Sequence, residues 1–295
     1  MQTPVLFIVF NRPDKTAQVF ERIRKAKPKQ LFVAADGYRL ERPEEKILCD
    51  EVRSLIIDNV DWDCEVRTLF REENLGCGRA VSGAITWFFE HVEAGIILED
   101  DCVPDPSFFN FAGELLTHFK DNRKIWVISG FNMQSGRWRG DGSYYLSINN
   151  HVWGWASWRD RWSEYQFRIG EVDSSVINRY VGEKRHRKLF KKFFEDSSKI
   201  DTWDFQWMYC MWKNNGLAVI PNHNLIDNIG FGKDATHTTN SDNSFFEKPR
   251  ALTSIRHPRR LVQHKKADAF MLEKLNPTPS LVQRIKRKLG KVLNL

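Results

Sequence analysis

Residues 95–101 read Gly-Ile-Ile-Leu-Glu-Asp-Asp, a short apolar run that leads directly into three acidic residues. A continuous apolar run of this length is typical of a strand buried on both faces of a sheet. Three adjacent carboxylates repel each other unless a cation neutralises them, and hard oxygen ligands suit Mg²⁺ or Mn²⁺. The alternative is a solvated acidic turn before a helix that starts near Pro106. Placement directly after a buried strand favours the metal site.

Strand-like and helix-like patterns alternate through the first half of the chain. Strands are predicted at residues 5–10, 31–35 and 65–70, and each is followed by a helical pattern. This alternation predicts an α/β protein with a largely parallel, doubly wound sheet. Such sheets bind ligands beyond the carboxyl ends of their strands. Polar residues follow three of the predicted strands, at Asn11-Arg12, Asp36-Gly37 and Glu99-Asp100-Asp101, so we expect them to converge on one edge.

The second half is less regular. Its predicted elements are strands at 125–129, 144–148 and 217–220, a basic helix at 184–192 and a helix at 203–212. No element is predicted directly after residue 245. The last segment, 277–295, reads as a basic amphipathic helix that could bind an anionic membrane surface.

The overall charge and the cysteine content limit the class of protein. A formal net charge of +7 and a pI of about 9.1 favour an anionic partner, such as a nucleotide, a phospholipid surface, an acidic glycan or a nucleic acid. The five cysteines form no CxxC pair, which argues against a zinc site or a disulfide framework. Without a signal peptide or a membrane-spanning apolar stretch, we expect a cytoplasmic protein that is soluble or peripheral.

Asp204 is a candidate general base, because a transferase must remove the proton of the acceptor hydroxyl. The alternative is a residue at the start of a helix, with Asp201 or Thr202 as the cap, and the local sequence favours this alternative. Arg12 could reach a diphosphate or be an ordinary surface arginine. Asp36 could accept a hydrogen bond from a nucleotide base or belong to an Asp-Gly turn.

Two further groups of residues have a functional and a structural interpretation. Thr236 and His237 could contact phosphate or metal, or could lie in a solvated loop. The chain is rich in tryptophan between residues 151 and 162 and again between 203 and 212. We expect most of these rings in the core and one or two at an acceptor site, where indoles pack on the C–H faces of sugars.

These motifs, taken in order, match a known group of enzymes. They are residues 8–12, 34–36, 98–101 with 106–109, 126–132, 154–155, 203–204, 231–232 and 236–237. The chain resembles the GT-A fold glycosyltransferases, and in particular the inverting N-acetylglucosaminyltransferase I family and its bacterial sugar-transferase relatives. The resemblance runs over most of residues 4–240. The family has an acid pair after its tryptophan, where this chain has Asp204-Phe205.

The resemblance implies a role for each matched residue. Asp101 would bind Mn²⁺ or Mg²⁺, with His237 as a second metal contact. Glu99 and Asp100 would contact the donor sugar and ribose. The other implied roles are base binding by Asp36, diphosphate binding by Arg12 and Thr236, and proton abstraction by Asp204.

The expected function is metal-dependent transfer of a hexosyl or N-acetylhexosaminyl group, with inversion, from a UDP-sugar to a glycan or lipid-linked hydroxyl in bacterial surface polysaccharide or glycolipid synthesis. The expected division is a GT-A domain at 1–250, with a nucleotide-sugar half at 1–130 and an acceptor half at 131–250, and an extension at 251–295. A sugar-phosphate nucleotidyltransferase and a non-catalytic nucleic-acid-binding protein remain as alternatives. No Gly-rich basic loop follows the first strand, and no nucleic-acid-binding signature is present, so we expect no nucleic-acid partner.

Overall fold

The computed structural model describes residues 1–197, 199–230 and 247–277. The strands are β1 (Val5–Val9), β2 (Gln30–Ala35), β3 (Glu65–Phe70), β4 (Ala94–Glu99), β5 (Cys102–Pro104), β6 (Ile125–Ser129), β7 (Tyr144–Ser147), β8 (Trp155–Trp158), β9 (Leu217–Pro221) and β10 (Ile226–Asn228). The helices are α1 (Pro13–Ala26), α2 (Glu45–Ile57), α3 (Gly76–His91), α4 (Pro106–His118), α5 (Arg159–Trp162), α6 (Ser174–Tyr180), α7 (Lys184–Asp196), α8 (Asp204–Lys213) and α9 (Lys265–Leu275). None of the helices within these ranges has both the length and the apolar character that crossing a lipid bilayer requires.

Eight strands form one mixed sheet in the order β3-β2-β1-β4-β8-β6-β9-β7. The first four strands of this order are parallel to each other. Strand β8 is antiparallel to both β4 and β6, and β7 is antiparallel to β9, which is itself parallel to β6. The predicted fold class, an α/β protein with a Rossmann-like, doubly wound mixed sheet, is confirmed.

The order of the strands creates a crevice in the middle of the sheet. From β1 the chain moves outward to β2 and β3, and it then returns to place β4 on the other side of β1. Loops that leave the carboxyl ends of β1 and β4 therefore diverge, which is where open α/β sheets bind ligands. Arg12 follows β1 and Asp100 follows β4, so both lie at this switch point.

Burial explains why these two strands are so apolar. All five residues of β1 are buried, and in β4 the four residues from Gly95 to Leu98 are buried. Helix α3 packs against β1, and α4 packs against β4 and β8. A two-stranded antiparallel sheet of β5 and β10 lies beyond the end of β4.

The tryptophan-rich segments form a core cluster. The indoles of Trp155 and Trp203 stack with ring centroids 5.7 Å apart, and those of Trp162 and Trp207 lie 5.0 Å apart. Six of the seven tryptophans in the two segments are buried: Trp155, Trp158, Trp162, Trp203, Trp207 and Trp212. The expectation that most of them pack in the core is confirmed, and Trp153 alone among the seven is half-buried.

Residues after 245 contain more structure than their sequence pattern indicates. The sequence pattern does not predict helix α9. Its buried face combines the polar Asp268 with Ala267, Met271 and Leu272, so its apolar pattern is interrupted. The chain before this helix lies along the edge of the main sheet.

The predicted boundary near residue 250 falls in a segment that contacts the loop before β10 and the start of α4. There, the Arg250 N–H donates to the Asn224 carbonyl at 2.9 Å, and the Leu252 N–H donates to Ser107 Oγ at 2.9 Å. The predicted amphipathic helix at 277–295 lies, apart from Pro277, outside the described residues.

Asp268 ties α9 to β7, and its removal should destabilise the fold. Its carboxylate is 4% exposed and accepts hydrogen bonds from the Ser147 hydroxyl (2.6 Å), the Gln263 amide (2.8 Å) and the Asn149 amide (3.3 Å). Asp268→Ala removes the acceptor of the buried Ser147 hydroxyl and of the half-buried Gln263 amide, while the Asn149 amide keeps its contact with Ser147 Oγ. We expect a loss of about 1–3 kcal/mol in the free energy of unfolding. Urea denaturation followed by circular dichroism measures this loss. The exposed Asp141→Ala is the control, and equal stability of the two variants would contradict the assignment.

Candidate active site

An ion pair joins the ends of β1 and β4. Arg12 Nε donates to Asp100 Oδ2 at 3.2 Å, and a second guanidinium nitrogen contacts the other oxygen of the same carboxylate. Arg12 Nη1 lies 3.0 Å from Asp101 Oδ2. One guanidinium therefore holds two of the three adjacent carboxylates, as a planar group with several donors can.

The negative charge of the cluster exceeds this single positive charge. Burial, together with the neighbouring Asp101 and Asp100 carboxylates, raises the pKa of Glu99 to about 8. Burial also raises the pKa of Asp100, which is 3% exposed, although the Arg12 charge opposes the shift. Burial is the main cause of the raised pKa of Glu99, and the two neighbouring carboxylates add to it because they disfavour a third negative charge.

Of the two carboxylates that Arg12 contacts, Asp101 is the more accessible, with 17% of its side chain exposed. Its backbone carbonyl accepts from the Ile229 N–H at 2.8 Å, and its Oδ1 accepts from the Cys102 thiol at 3.4 Å. A Cβ atom on Gly230 would come within 2.2 Å of Asp101 Oδ2. The chain that leaves β10 therefore passes directly against this carboxylate, and a larger residue at position 230 would require the Asp101 side chain to move.

The predicted loop residues Thr236 and His237 follow Gly230 in the chain but lie outside the described residues. Within the ranges that are described, no group of three or more His, Cys, Asp or Glu side chains is arranged to hold a metal ion. Any metal at Asp101 would thus need ligands from elsewhere, for which substrate phosphates are the usual source.

Asp204 is the first residue of α8, and its side chain is half-buried. Its Oδ1 accepts from the Phe205 N–H at 2.9 Å and from the Thr202 hydroxyl. The charge of Asp204 contributes to the raised pKa of Glu99. The structure thus brings the candidate base of the second half into electrostatic reach of the acidic cluster of the first half.

The expectation that Asp201 or Thr202 caps α8 is wrong. Trp203 is the N-cap residue of α8 and makes no side-chain cap. Asp201 instead reaches α3, where its carboxylate accepts from the N–H groups of Cys77 (2.8 Å) and Gly78 (2.7 Å). The first N–H groups of α3 have no partner within their own helix. They therefore donate to this carboxylate, although it lies about 124 positions later in the chain.

Asp36 holds the same helix start from the other side. Both oxygens of its carboxylate accept from the Leu75 N–H, at 2.9 and 3.2 Å. The side chain is 8% exposed, and burial raises its pKa. The guanidinium of Arg53 also donates to the Asp36 carbonyl at 3.2 Å. Two carboxylates from distant segments therefore fix the beginning of α3.

Sequence reasoning missed Cys77, which is half-buried among the candidate residues. Burial, followed by the charges of Glu99, Asp201 and Asp204, raises the pKa of its thiol. The thiol is therefore neutral at physiological pH. The only signal in the sequence was the Gly76-Cys77-Gly78 triplet at the start of a helix, a pattern that lacks the spacing of a metal or redox motif.

Comparison with known proteins gives distant structural likenesses only. No sequence family and no curated protein matches the chain. Similar solved structures include HddC from Yersinia pseudotuberculosis (12% identity, TM-score 0.35, 57% of this chain and 83% of that one). Others are a UDP-glucose pyrophosphorylase complexed with UDP-glucose (8%, 0.38, 75% and 90%) and mouse xyloside xylosyltransferase 1 (12%, 0.35, 72% and 81%). At this level the likenesses carry no functional inference for this chain.

The cap from Asp201 to α3 gives a direct test of how the two halves are joined. Asp201→Ala leaves two N–H groups at the start of α3 without an acceptor, so we expect a loss of about 1 kcal/mol in the free energy of unfolding. Asp201→Asn is the matched control, since asparagine caps a helix about as well as aspartate does. Urea unfolding of both variants measures the effect. If Asp201→Ala were as stable as the wild type, the contact would contribute nothing to the stability of the fold.

Proposed function

We propose that this protein is a metal-dependent GT-A fold glycosyltransferase that uses a nucleotide-diphospho-sugar, with a UDP-sugar as the expected donor. The observation that carries the proposal is the cluster of Glu99, Asp100, Asp101 and Arg12 at the switch point of the sheet, with Asp204 facing it from the second half. Open α/β sheets bind nucleotides at this position. The resemblance of the ordered motifs supports the same donor class.

The residues present fit a divalent cation. Arg12 contacts the carboxylates of Asp100 and Asp101. The raised pKa of Glu99 arises first from burial and then from these two neighbouring charges, which a bound cation would offset. The side chain of Asp101 is 17% exposed and is proposed to bind Mn²⁺ or Mg²⁺ through Oδ2, in place of its contact with Arg12. Bound there, the ion would neutralise charge on a leaving diphosphate. His237 remains a predicted second contact.

Asp204 is proposed as the general base. The Thr202 hydroxyl and the Phe205 N–H hold one of its carboxylate oxygens, so the other oxygen is left to accept a proton from an acceptor hydroxyl. Attack by that hydroxyl on the anomeric carbon, opposite to the leaving group, inverts the configuration. The stacked indoles of Trp155 and Trp203 fix the backbone just before Asp204.

The remaining predicted residues would bind the donor. Asp36 lies at the carboxyl end of β2, beside β1, and is proposed to bind the base. Arg12 is proposed to bind the diphosphate once a cation takes over part of the carboxylate charge that it now neutralises. Glu99 and Asp100 are proposed to position the sugar and ribose, and Thr236 the diphosphate.

A nucleotidyltransferase that activates a sugar phosphate is the second candidate, because it shares the fold type and the metal chemistry. Incubation with nucleoside triphosphates and sugar phosphates, followed by detection of pyrophosphate, distinguishes it from a glycosyltransferase. A glycan or lipid-linked acceptor and a role in surface polysaccharide or glycolipid synthesis are part of the proposal, as is a cytoplasmic location. A salt-dependent gel shift tests the nucleic-acid alternative.

The metal assignment can be tested by donor hydrolysis. A panel of nucleotide sugars, incubated with and without Mn²⁺, should include one whose nucleotide is released only with the metal. Asp101→Asn should lower this release about 100-fold or more, because it removes a charged ligand while keeping the shape of the side chain. Asp63→Asn, on an exposed aspartate, is the matched control. Unchanged release by the Asp101 variant would refute the metal assignment.

The base assignment makes a separate prediction. Asp204→Asn should lower kcat for transfer about 100-fold or more, since asparagine cannot take up the acceptor proton. The affinity for the donor should stay within about twofold, because Asp204 is not assigned to donor binding. Initial transfer rates and donor titrations measure the two quantities. A variant with full kcat would place the base elsewhere.

A further inference from the structure

The chain that approaches α9 leaves the edge of the sheet and returns to it. At the first contact, Ser143 N–H donates to the Arg256 carbonyl at 2.7 Å and Arg256 N–H donates to Ser143 Oγ at 2.9 Å. At the second, the His264 N–H donates to the Leu146 carbonyl at 2.8 Å. Residues 257–262 lie between these contacts. His257 Nδ1 lies 2.8 Å from the Tyr144 hydroxyl, and a groove of about 300 Å³ lies between residues 258–262 and β7. We call residues 257–262 the edge loop.

The edge loop presents cationic and apolar side chains side by side. The side chain of Arg259 is 93% exposed, and Arg260 is also exposed. The next two residues are Leu261, 37% exposed, and Val262, 63% exposed. Exposed apolar residues are common singly, but two adjacent ones next to two arginines on one loop form an amphipathic surface.

Further positive charges surround the edge loop. Lys265 and Lys266 follow it in the first turn of α9, and both are exposed. On its other flank, Arg137 lies over the Phe270 ring of α9 at 4.2 Å, next to Trp138, which is 47% exposed. The edge loop and these five residues form what we call the basic edge.

Acidic groups near the basic edge do not balance its charge. Asp141 lies 3.7 Å from Arg259, and Glu114 lies 4.0 Å from His257. Arg260, Lys265 and Lys266 have no ion-pair partner among the residues that the structure describes. The surface therefore combines uncompensated positive charge with exposed apolar side chains.

We propose that the basic edge docks onto a lipid bilayer that contains anionic lipids. A soluble polyanion would attract the arginines and lysines but would leave Leu261 and Val262 in water. An uncharged apolar partner would desolvate the cations without compensation. An anionic bilayer accommodates both the cationic and the apolar side chains, because arginine and lysine stay at the headgroups while apolar side chains enter the acyl boundary.

This docking surface differs from the predicted membrane contact at 277–295 and goes beyond the proposed transferase activity, on which it does not depend. The basic edge lies at the β7 edge of the sheet, at the opposite end of the strand order from β3. It belongs to the half that contributes Asp204. A protein docked here would hold that half close to lipid-borne molecules.

Flotation of the full-length protein with vesicles tests the proposal. Mixed phosphatidylcholine–phosphatidylglycerol vesicles should bind the protein, and pure phosphatidylcholine vesicles should not. Arg259→Gln combined with Arg260→Gln should weaken binding to the mixed vesicles about 25-fold, from about fivefold for each charge near the surface. Leu261→Ser combined with Val262→Ser should weaken it about tenfold without any change in charge.

A matched control removes two positive charges elsewhere. Lys184→Gln combined with Lys188→Gln, on the exposed side of α7, should change binding by less than about twofold.

Two results would overturn the proposal. One is failure of the wild type to bind mixed vesicles, and the other is wild-type binding by both edge-loop variants. An equal loss in the α7 control would indicate general attraction by net charge. A serine variant that binds vesicles like the wild type, beside an arginine variant that loses both vesicles and heparin, would indicate a polyanion site instead. Thermal unfolding of each variant checks that its fold is intact.

Discussion

The ion pair between Arg12 and the Asp100–Asp101 carboxylates is the interaction on which the candidate site depends. Parallel strands β1 and β4 deliver these groups to the same edge of the sheet, where like charges would otherwise repel. Charged groups that are largely removed from water need a partner within hydrogen-bonding distance, and Arg12 supplies it. The pair also leaves the cluster with an unbalanced negative charge, since one guanidinium is shared by the carboxylates of Asp100 and Asp101.

The start of α3 is the second constraint, because it joins the two halves of the molecule. Asp36 holds the Leu75 N–H, while Asp201 holds those of Cys77 and Gly78. Asp201 lies three residues before Asp204, so the cap on α3 also fixes the candidate base relative to the end of β4. Carboxylates from both halves thus accept hydrogen bonds from the start of α3. These bonds fix the positions of the groups proposed to bind donor and acceptor relative to each other.

The sequence predicts the first half of the fold well, because alternating buried strands and helices carry a strong periodic signal. The position of Glu99, Asp100 and Asp101 at the end of a strand follows from the same signal. The contact of Asp201 with α3 could not be predicted, since it joins residues about 124 positions apart and local sequence favours a cap on α8. The close approach of Gly230 to Asp101 is equally non-local. Helix α9 escaped detection because buried Asp268 interrupts its apolar face.

The cleft and the outer surface differ in the sign of their charge. A net charge of +7 suggests an anionic partner, yet the cleft between β1 and β4 is lined by carboxylates and would repel a bare phosphate. Positive charge lies instead on α7, on the basic edge and in the sequence of residues 278–295, all far along the chain from the acidic cluster. The proposed transferase activity would need a cation in the cleft before a diphosphate binds, whereas the outer surface can attract an anionic partner directly.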